Sequence, residues 1–141
     1  METLQRINEA LLVLLKTRNY QEIDVSLLCN QAQISQSAFY DHYCDLSELA
    51  DVFCQRVEEQ LSAQPHDETA FSWMFTYMVN NPDTFNAYFK LPYREKKADY
   101  KTIFFCKGLY SVAKMWFEEG CKESPEQMGE IILREYCKLF Q

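Results

Sequence analysis

Glycine and proline are scarce in this chain, and their scarcity is what most restricts the fold. Only 3 Gly and 4 Pro occur in 141 residues, so few residues interrupt a helix. Apolar residues recur at the spacing of one helical face. In the first segment this pattern is formed by Leu4, Ile7, Leu11 and Leu14. The sequence therefore predicts an all-α protein.

Start and stop residues divide the pattern into separate helices. The predicted ranges are about 4–17, 25–31, 36–43, 46–62, 70–80, 82–90, 98–119 and from 125 onward. The segment "AFSWMFTYMV" fits both a strand and a helix. We assign it as a helix because every other segment has helical period and no partner strand is evident. The clearest start is "SPEQ", with a Ser cap, Pro at the first helical position and Gln at the third.

The composition is that of a packed globular protein, with 48% hydrophobic and 15% aromatic residues. No apolar run approaches the roughly 18 residues that a membrane span needs. The segment "METLQRINEA" has the pattern of an amphipathic helix and not of a secretory signal. We expect a cytoplasmic protein without a membrane partner.

The residues that carry most enzyme and metal chemistry are not grouped in the sequence. Six Cys and two His occur, and no two Cys have the C-x-x-C spacing of a zinc site. The cysteines are interpreted as reduced, mostly buried thiols. No nucleophile–His–acid set and no Gly-rich phosphate loop is recognisable. The sequence predicts no catalytic residue, no metal, no cofactor and no enzymatic activity.

The net charge of −7 is unevenly distributed. Residues 1–60 hold four basic and ten acidic residues, a net charge of −6, whereas 61–141 carry −1. The acidic part contains "ISQSAFYDHY" (34–43), the segment with the strongest functional pattern. Any partner of this segment therefore meets a negatively charged neighbourhood.

Residues 25–43 have the plan of a helix-turn-helix. Asp24 caps a short helix, Gln33 and Ile34 make a tight turn, and Ser35 caps a second helix. Ala32 is small enough for the two helices to meet. Short polar residues begin the second helix, as in helices that read base edges in the major groove.

The stretch "VSLLCNQAQISQSAFYDHYCDLSEL" (25–49) resembles the signature of the TetR family of bacterial transcriptional regulators. The matching features are the Ala-x-Ile-Ser turn, the aromatic-Tyr-x-His-aromatic run and the Glu-Leu that opens the fourth helix. The tail "MWFEEGCKESPEQMGEII" is similar to that of small TetR-like regulators from Gram-positive bacteria. The resemblance implies an all-α homodimer that binds double-stranded operator DNA. It implies a DNA-binding head at 1–45, a connecting helix at 46–62 and a C-terminal dimerisation and effector domain at 63–141.

The resemblance also implies roles for particular residues. Gln36 and Ser37 would face bases, Tyr40 a base methyl or phosphate, and His42 a phosphate; the remaining DNA-binding candidate is Ser26. For His42 the alternative is a helix-end residue that packs on the first helix.

The sequence departs from the family pattern at three positions. Leu46 replaces a basic residue, Gln33 a glycine and Asp41 a basic or aromatic residue, and no Lys or Arg occurs between Asp24 and Arg56. Two alternatives to DNA reading therefore stay open. One is a helix-turn-helix used as a protein-interaction surface, and the other is a plain helical domain.

The predicted helix 98–119 carries two adjacent apolar stripes, one more than its own domain needs. We expect the same helix of a second chain to cover one of them, with Gly108 permitting close approach. The predicted interface residues are Phe105, Leu109, Val112, Trp116, Ile132 and Tyr136. The alternative is a thick core within one chain.

Aromatic residues are concentrated between positions 71 and 89. Four of them are candidates for a pocket that binds a small apolar effector: Trp73, Tyr77, Tyr88 and Phe89. The alternative is that they pack the core. A protein partner in place of the effector also stays open.

Overall fold

A computed structural model describes residues 2–63 and 65–141. In these ranges the chain is helical and contains no strand, which confirms the all-α prediction. The α-helices are α1 Thr3–Thr17, α2 Val25–Ala32, α3 Gln36–Tyr40, α4 Leu46–Ser62, α5 Ala70–Asn80, α6 Pro82–Lys90, α7 Tyr100–Glu118 and α8 Pro125–Phe140. A short 3-10 helix, Tyr20–Glu22, follows α1.

Side-chain caps start five of these helices where the sequence offers a short polar residue. In each, an oxygen accepts the backbone N–H three residues on, at 2.8 to 3.1 Å. The caps are Asp24, Ser35, Asp45, Asp99 and Ser124. At Ser124 the box is reciprocal, since the Gln127 side chain accepts the Ser124 N–H at 2.8 Å.

The segment 70–80, ambiguous by pattern, is a helix. Its buried residues Ala70, Met74, Phe75 and Met78 have helical spacing, whereas Thr76 and Val79 are exposed. The strand-like alternation of aromatics was therefore coincidental. The helix ends at Asn81, whose side-chain amide donates to the Tyr77 carbonyl at 2.9 Å.

The chain divides into two compact units. The first comprises Met1–Gln60 and Asp83–Pro92, and the second comprises Leu61–Pro82 and Tyr93–Gln141. The segment 83–92 thus belongs with the N-terminal helices, although the sequence-based division placed it in the domain 63–141. Met1 of the predicted head and Gln64 of that C-terminal domain lie outside the described residues.

Polar contacts explain why α6 belongs to the first unit. The Leu15 carbonyl, near the end of α1, accepts hydrogen bonds from the Asn86 amide at 3.2 Å and from the Lys90 ammonium. Lys16 pairs with Asp83 at 3.2 Å. The last carbonyls of a helix lack intrahelical donors, so these side chains supply what α1 lacks.

The core of the first unit is apolar and includes residues from α6. Its most deeply buried side chains are Ile7, Leu11, Leu15, Leu28, Phe39, Leu49 and Phe85. At its edge the Tyr88 hydroxyl donates to a Glu58 carboxylate oxygen at 3.1 Å. This bond gives a half-buried polar pair the partner that burial requires.

The second unit is built on α5 and α8, with α7 packed beside them. Phe75 meets Trp116 edge to face at 5.1 Å between ring centroids. The Trp116 indole N–H donates to the Glu123 carbonyl at 3.0 Å. Gly129 lies against Ser72 so closely that an added Cβ would be 2.8 Å from the Ser72 Cα. The absence of a side chain at Gly129 is what lets α5 and α8 approach.

The six cysteines all lie in the described residues and none of them forms a disulfide, but their burial differs from the expectation of mostly buried thiols. Cys29 and Cys54 are buried, whereas Cys44 and Cys106 are exposed. Cys44 lies in the loop between α3 and α4, and Cys106 lies on an outer side of α7. Across residues 2–63 and 65–141, no helix combines the length and the apolar character that crossing a membrane requires.

Candidate nucleic-acid interface

The turn between α2 and α3 is closed by two backbone hydrogen bonds. The Ile34 N–H donates to the Cys29 carbonyl at 3.1 Å, and the Gln33 N–H to the Asn30 carbonyl at 3.3 Å. This pair of bonds is the Schellman motif, which ends a helix with one left-handed residue. Gln33 is that residue, with φ 57° and ψ 49°. The turn forms without the glycine that usually stands there, at a cost of about 1–2 kcal/mol.

Helix α3 is shorter than predicted. It begins after Ser35, whose hydroxyl oxygen accepts the Ala38 N–H at 3.0 Å, and it ends at Tyr40, not near residue 43. The N–H groups of His42 and Tyr43 both donate to the Phe39 carbonyl at 3.0 Å. Sharing one carbonyl tightens the last turn and ends the α-helical pattern.

Two aromatic residues anchor α3 to the core. Phe39 has no exposed surface, and Tyr43 is buried to 4% exposure. Their ring centroids are 5.7 Å apart. Burial raises the pKa of the Tyr43 hydroxyl, and the positive charge of Arg56 partly opposes that rise. The position of α3 is therefore set by apolar packing on its inner side.

The outer side of α3 carries the side chains predicted to read DNA. Gln36 and Tyr40 lie one helical turn apart, and Ser37 lies beside them; all three are exposed, Tyr40 to 52%. The Tyr40 ring packs edge to face on Phe39 at 5.3 Å, which fixes its direction. Ser26, in the first turn of α2, and His42, after α3, are also exposed. The exposure of His42 does not fit the alternative in which it packs on α1.

Acidic groups surround the loop between α3 and α4. Repulsion by Glu48 is the main reason that the pKa of the Cys44 thiol is raised, and Asp45 adds to it. Burial raises the pKa of the Tyr20 hydroxyl, with further contributions from Asp45 and Asp51. Asp41 is exposed at the end of α3. Leu46, at the position where the family pattern has a basic residue, adds no positive charge.

The position of one basic residue near the turn was not predicted from the sequence. Arg6 of α1 directs a guanidinium N–H toward the Gln33 carbonyl, 3.5 Å away. It borders a groove of about 320 Å³ between α1 and the end of α2. The two residues are 27 positions apart, so no local pattern joins them. The turn thus has a cation beside it that the interval 24–56 lacks.

The predicted dimer interface requires a correction. Trp116 and Ile132 are 3% and 5% exposed, so they are core residues of their own unit and offer almost no surface to a second chain. Tyr136 packs on Phe105 at 5.5 Å. Phe105, Leu109 and Val112 are half-buried. The apolar side of α7 that stays exposed is a different one.

The exposed stripe of α7 is defined by residues at spacings of three and four. It consists of Tyr100, Phe104, Gly108, Ser111 and Met115. Phe104 is 72% exposed and Met115 57%, and nothing lies within 4 Å of a Cβ built on Gly108. Two large apolar side chains thus flank a pair of small residues.

The four candidate pocket residues do not belong to one unit. Trp73 and Tyr77 stack at 5.2 Å in the second unit. Tyr88 and Phe89 are buried in the first unit, where they pack on one another at 5.4 Å. Tyr88 and Phe89 thus follow the alternative of core packing.

The described part of the chain contains no group of three or more His, Cys, Asp or Glu side chains arranged to hold a metal ion.

In comparisons with known proteins, the sequence matches no protein-family model and no curated protein.

Proposed function

We propose that this chain is a TetR-like transcriptional regulator that binds operator DNA as a homodimer through residues 25–43. The observation that carries the proposal is the construction of α3. Phe39 fixes the helix from inside, and Gln36, Ser37 and Tyr40 form one exposed polar set outside. A short anchored helix after a tight turn is the geometry that places side chains in the major groove.

The exposed set matches the chemistry of base edges. A glutamine amide pairs with adenine through one donor and one acceptor, and a serine hydroxyl serves as either. The Tyr40 ring offers an apolar face to a thymine methyl and a hydroxyl to a phosphate. Ser26 and His42, both exposed, would contact phosphates, and such contacts position a protein without specifying sequence.

Few basic residues of this head are available to contact phosphates. Each neutralised phosphate contributes about 0.9 to the slope of log affinity against log salt. Arg6 is the cation nearest the turn, and no other Lys or Arg occurs between Arg18 and Arg56. We therefore expect DNA binding with a shallow salt dependence, in which hydroxyl and amide contacts carry most of the specificity.

The exposed stripe of α7 supports the dimer. In an antiparallel contact centred between Leu109 and Tyr110, Phe104 would face the partner's Met115 and Gly108 the partner's Ser111. The same register sets Lys101 beside the partner's Glu118. Small residues at the crossing, large apolar ones beside it and opposite charges at the ends make the surface complementary to itself. An effector would act by changing the spacing of the two recognition helices.

DNA binding is tested by fluorescence anisotropy with the DNA upstream of the coding sequence, titrated with salt. Replacing both Gln36 and Tyr40 by Ala should weaken binding at least tenfold, since a good base contact is worth about 1–3 kcal/mol. Gln55→Ala, an exposed glutamine of α4, is the matched control and should bind as the parent does. Equal binding by the double variant and its parent contradicts the proposal.

A second function is favoured by the acidic surface: a protein-interaction co-regulator that has lost tight DNA binding. Asp41→Lys separates the two. If α3 lies in the groove, each subunit gains one phosphate contact, and the slope steepens by roughly 2 for a dimer. If the parent shows no binding at low salt and Asp41→Lys leaves it so, the co-regulator is the function to pursue.

The dimer is tested by light scattering after chromatography. Phe104→Asp together with Met115→Asp should give a folded monomer, because both side chains are exposed within the chain. Val13→Asp, which replaces an exposed valine of α1, should leave the dimer intact. A parent protein that elutes as a monomer at micromolar concentration contradicts the α7 contact.

A further inference from the structure

A cavity of about 530 Å³ opens in the second unit between the start of α5 and the end of α8. This volume is in the range of small-molecule sites, about 300–1,000 Å³. It does not involve the aromatic residues that the sequence suggested for a pocket. Its walls come from the loop before α5 and from the last turns of α8, so two separate parts of the chain meet there.

The floor of the cavity is aromatic and firmly supported. Phe71 and Tyr136 line it, with ring centroids 5.7 Å apart. Both rings also pack on Phe105, at 5.8 and 5.5 Å. Phe140 backs Tyr136 at 4.9 Å. Rings held by several neighbours present fixed faces, which is what a flat or aromatic ligand needs.

The rim of the cavity is acidic. Asp67 and Glu68 line it together with His66, and no Lys or Arg is among the described residues that line it. The Asp67 carboxylate accepts the Thr69 N–H at 2.8 Å and also the Thr69 hydroxyl. Both hydrogen bonds lower the pKa of the Asp67 carboxyl, and the bond from the Thr69 hydroxyl has the larger effect. Lys138, next in sequence to the lining residue Cys137, pairs with Glu135.

We propose that this cavity binds an organic cation that carries aromatic groups, such as an aryl-substituted ammonium or phosphonium ion. The positive charge would lie over the ring faces of Phe71 and Tyr136, where the quadrupole attracts it. Asp67 and Glu68 would complete the neutralisation. An anion of the same shape meets two carboxylates and, among the described lining residues, no Lys or Arg to offset them, so the site discriminates by charge.

A metal ion is a poor occupant by comparison. Hard cations need several oxygen ligands that converge on one point. The described side chains offer no such cluster, and the floor consists of the aromatic rings of Phe71 and Tyr136. The ligand must therefore be large and partly apolar as well as positively charged.

This inference deepens the proposed function, since it names a chemical class for the effector, but its first test needs no DNA. Tetraphenylphosphonium and tetraphenylborate have nearly the same shape and opposite charge. Binding of each to the full chain is measured by titration calorimetry. We expect the phosphonium ion to bind at least tenfold more tightly than the borate ion. Equal affinities overturn the charge selectivity, and no binding of either ion overturns the site.

Matched variants locate the binding. Tyr136→Leu keeps an apolar side chain and removes the ring, and it should weaken phosphonium binding about tenfold, as cation–π contacts of up to about 2 kcal/mol allow. Glu68→Gln should weaken it severalfold. Glu123→Gln removes an exposed carboxylate beyond the opposite end of α8 and should change nothing. If Glu123→Gln and Glu68→Gln have the same effect, the ion binds through net charge alone, and the proposal fails.

The link to regulation is read separately, as the change in DNA affinity on adding the phosphonium ion. A change that Tyr136→Leu removes supports the effector role. Tight phosphonium binding without any effect on DNA leaves the site standing and overturns its role as the effector site of the proposed regulator.

Discussion

The two units bring helices together with residues of opposite size. In the first, Phe39 fills the space behind α3, and what remains outside is polar and acidic. In the second, Gly129 lets α8 rest on Ser72 of α5, while α7 leaves Phe104 and Met115 exposed. The first unit has thus buried the apolar side of α3, and the second leaves an apolar side of α7 exposed. This difference fits the proposed roles, which are polar contacts with DNA in one unit and association in the other.

The largest effect should come from emptying the space behind α3. Phe39→Ala removes a side chain with no exposed surface and should cost about 3–5 kcal/mol of unfolding free energy, measured by urea denaturation. Tyr40→Ala, its exposed neighbour, should cost less than about 1 kcal/mol. Similar losses for the two would mean that Phe39 does not anchor α3.

The close crossing of α5 and α8 in the second unit should be destabilised nearly as much by adding an atom as the first unit is by removing a ring. Gly129→Ala puts a Cβ 2.1 Å from the Ser72 hydroxyl oxygen and 2.7 Å from its backbone nitrogen, and should cost about 3 kcal/mol. The cost persists in Ser72→Ala, because the backbone of Ser72 is also too close.

Gly108→Ala is the matched control for Gly129→Ala. The added Cβ has nothing within 4 Å, so the monomer should gain about 0.5–1 kcal/mol from higher helix propensity. If α7 pairs with its copy at Gly108, the same change should weaken the dimer. A monomer that is more stable in denaturation, together with a dimer that is weaker in light scattering, would support α7 as the association surface.

The caps of α3 and α8 test how much each helix depends on one bond. Ser35→Ala and Ser124→Ala should each cost about 1 kcal/mol, by thermal denaturation. Only Ser35→Ala should also weaken DNA binding, since α3 is five residues long and carries the exposed set. Equal DNA affinity in the two variants would show that the Ser35 cap is not needed for DNA binding.

The smallest expected effect is a gain. Gln33→Gly relieves a left-handed residue and should stabilise the first unit by up to about 1 kcal/mol, the strain of about 1–2 kcal/mol less the entropy of glycine. Gln31→Gly, inside α2, should destabilise it by about 0.5 kcal/mol. A loss at both positions would show that the Gln33 side chain contributes contacts of its own.

What depended on neighbours in sequence was predicted well. Asp24, Ser35 and Ser124 start helices because their side chains accept hydrogen bonds from backbone N–H groups three residues on. The all-helical pattern likewise follows from local spacing and from the scarcity of Gly and Pro. The end of α3 was misplaced because a tightening turn leaves no mark on apolar spacing.

What depended on distant partners was not predictable from the sequence. The two stripes of α7 were visible, but nothing in their spacing indicates that Trp116 meets Phe75 inside the unit. Grouping of α6 with α1 rests on donors from Asn86 and Lys90 to one carbonyl. In the aromatic floor, Phe71 contacts Tyr136, although the two residues are far apart in the sequence of the second unit. The TetR resemblance and the DNA contacts stay predictions until binding is measured.

The capping of α1 by α6 has a consequence for how the protein is made. A ribosome releases the chain from its N-terminus, and the first unit lacks the helix that carries Phe85 until residues 83–92 have emerged. Until then the Leu15 carbonyl of α1 lacks the hydrogen-bond donors that α6 supplies. A fragment that stops at residue 62 is therefore expected to fold poorly and to aggregate, and DNA-binding assays need the whole chain.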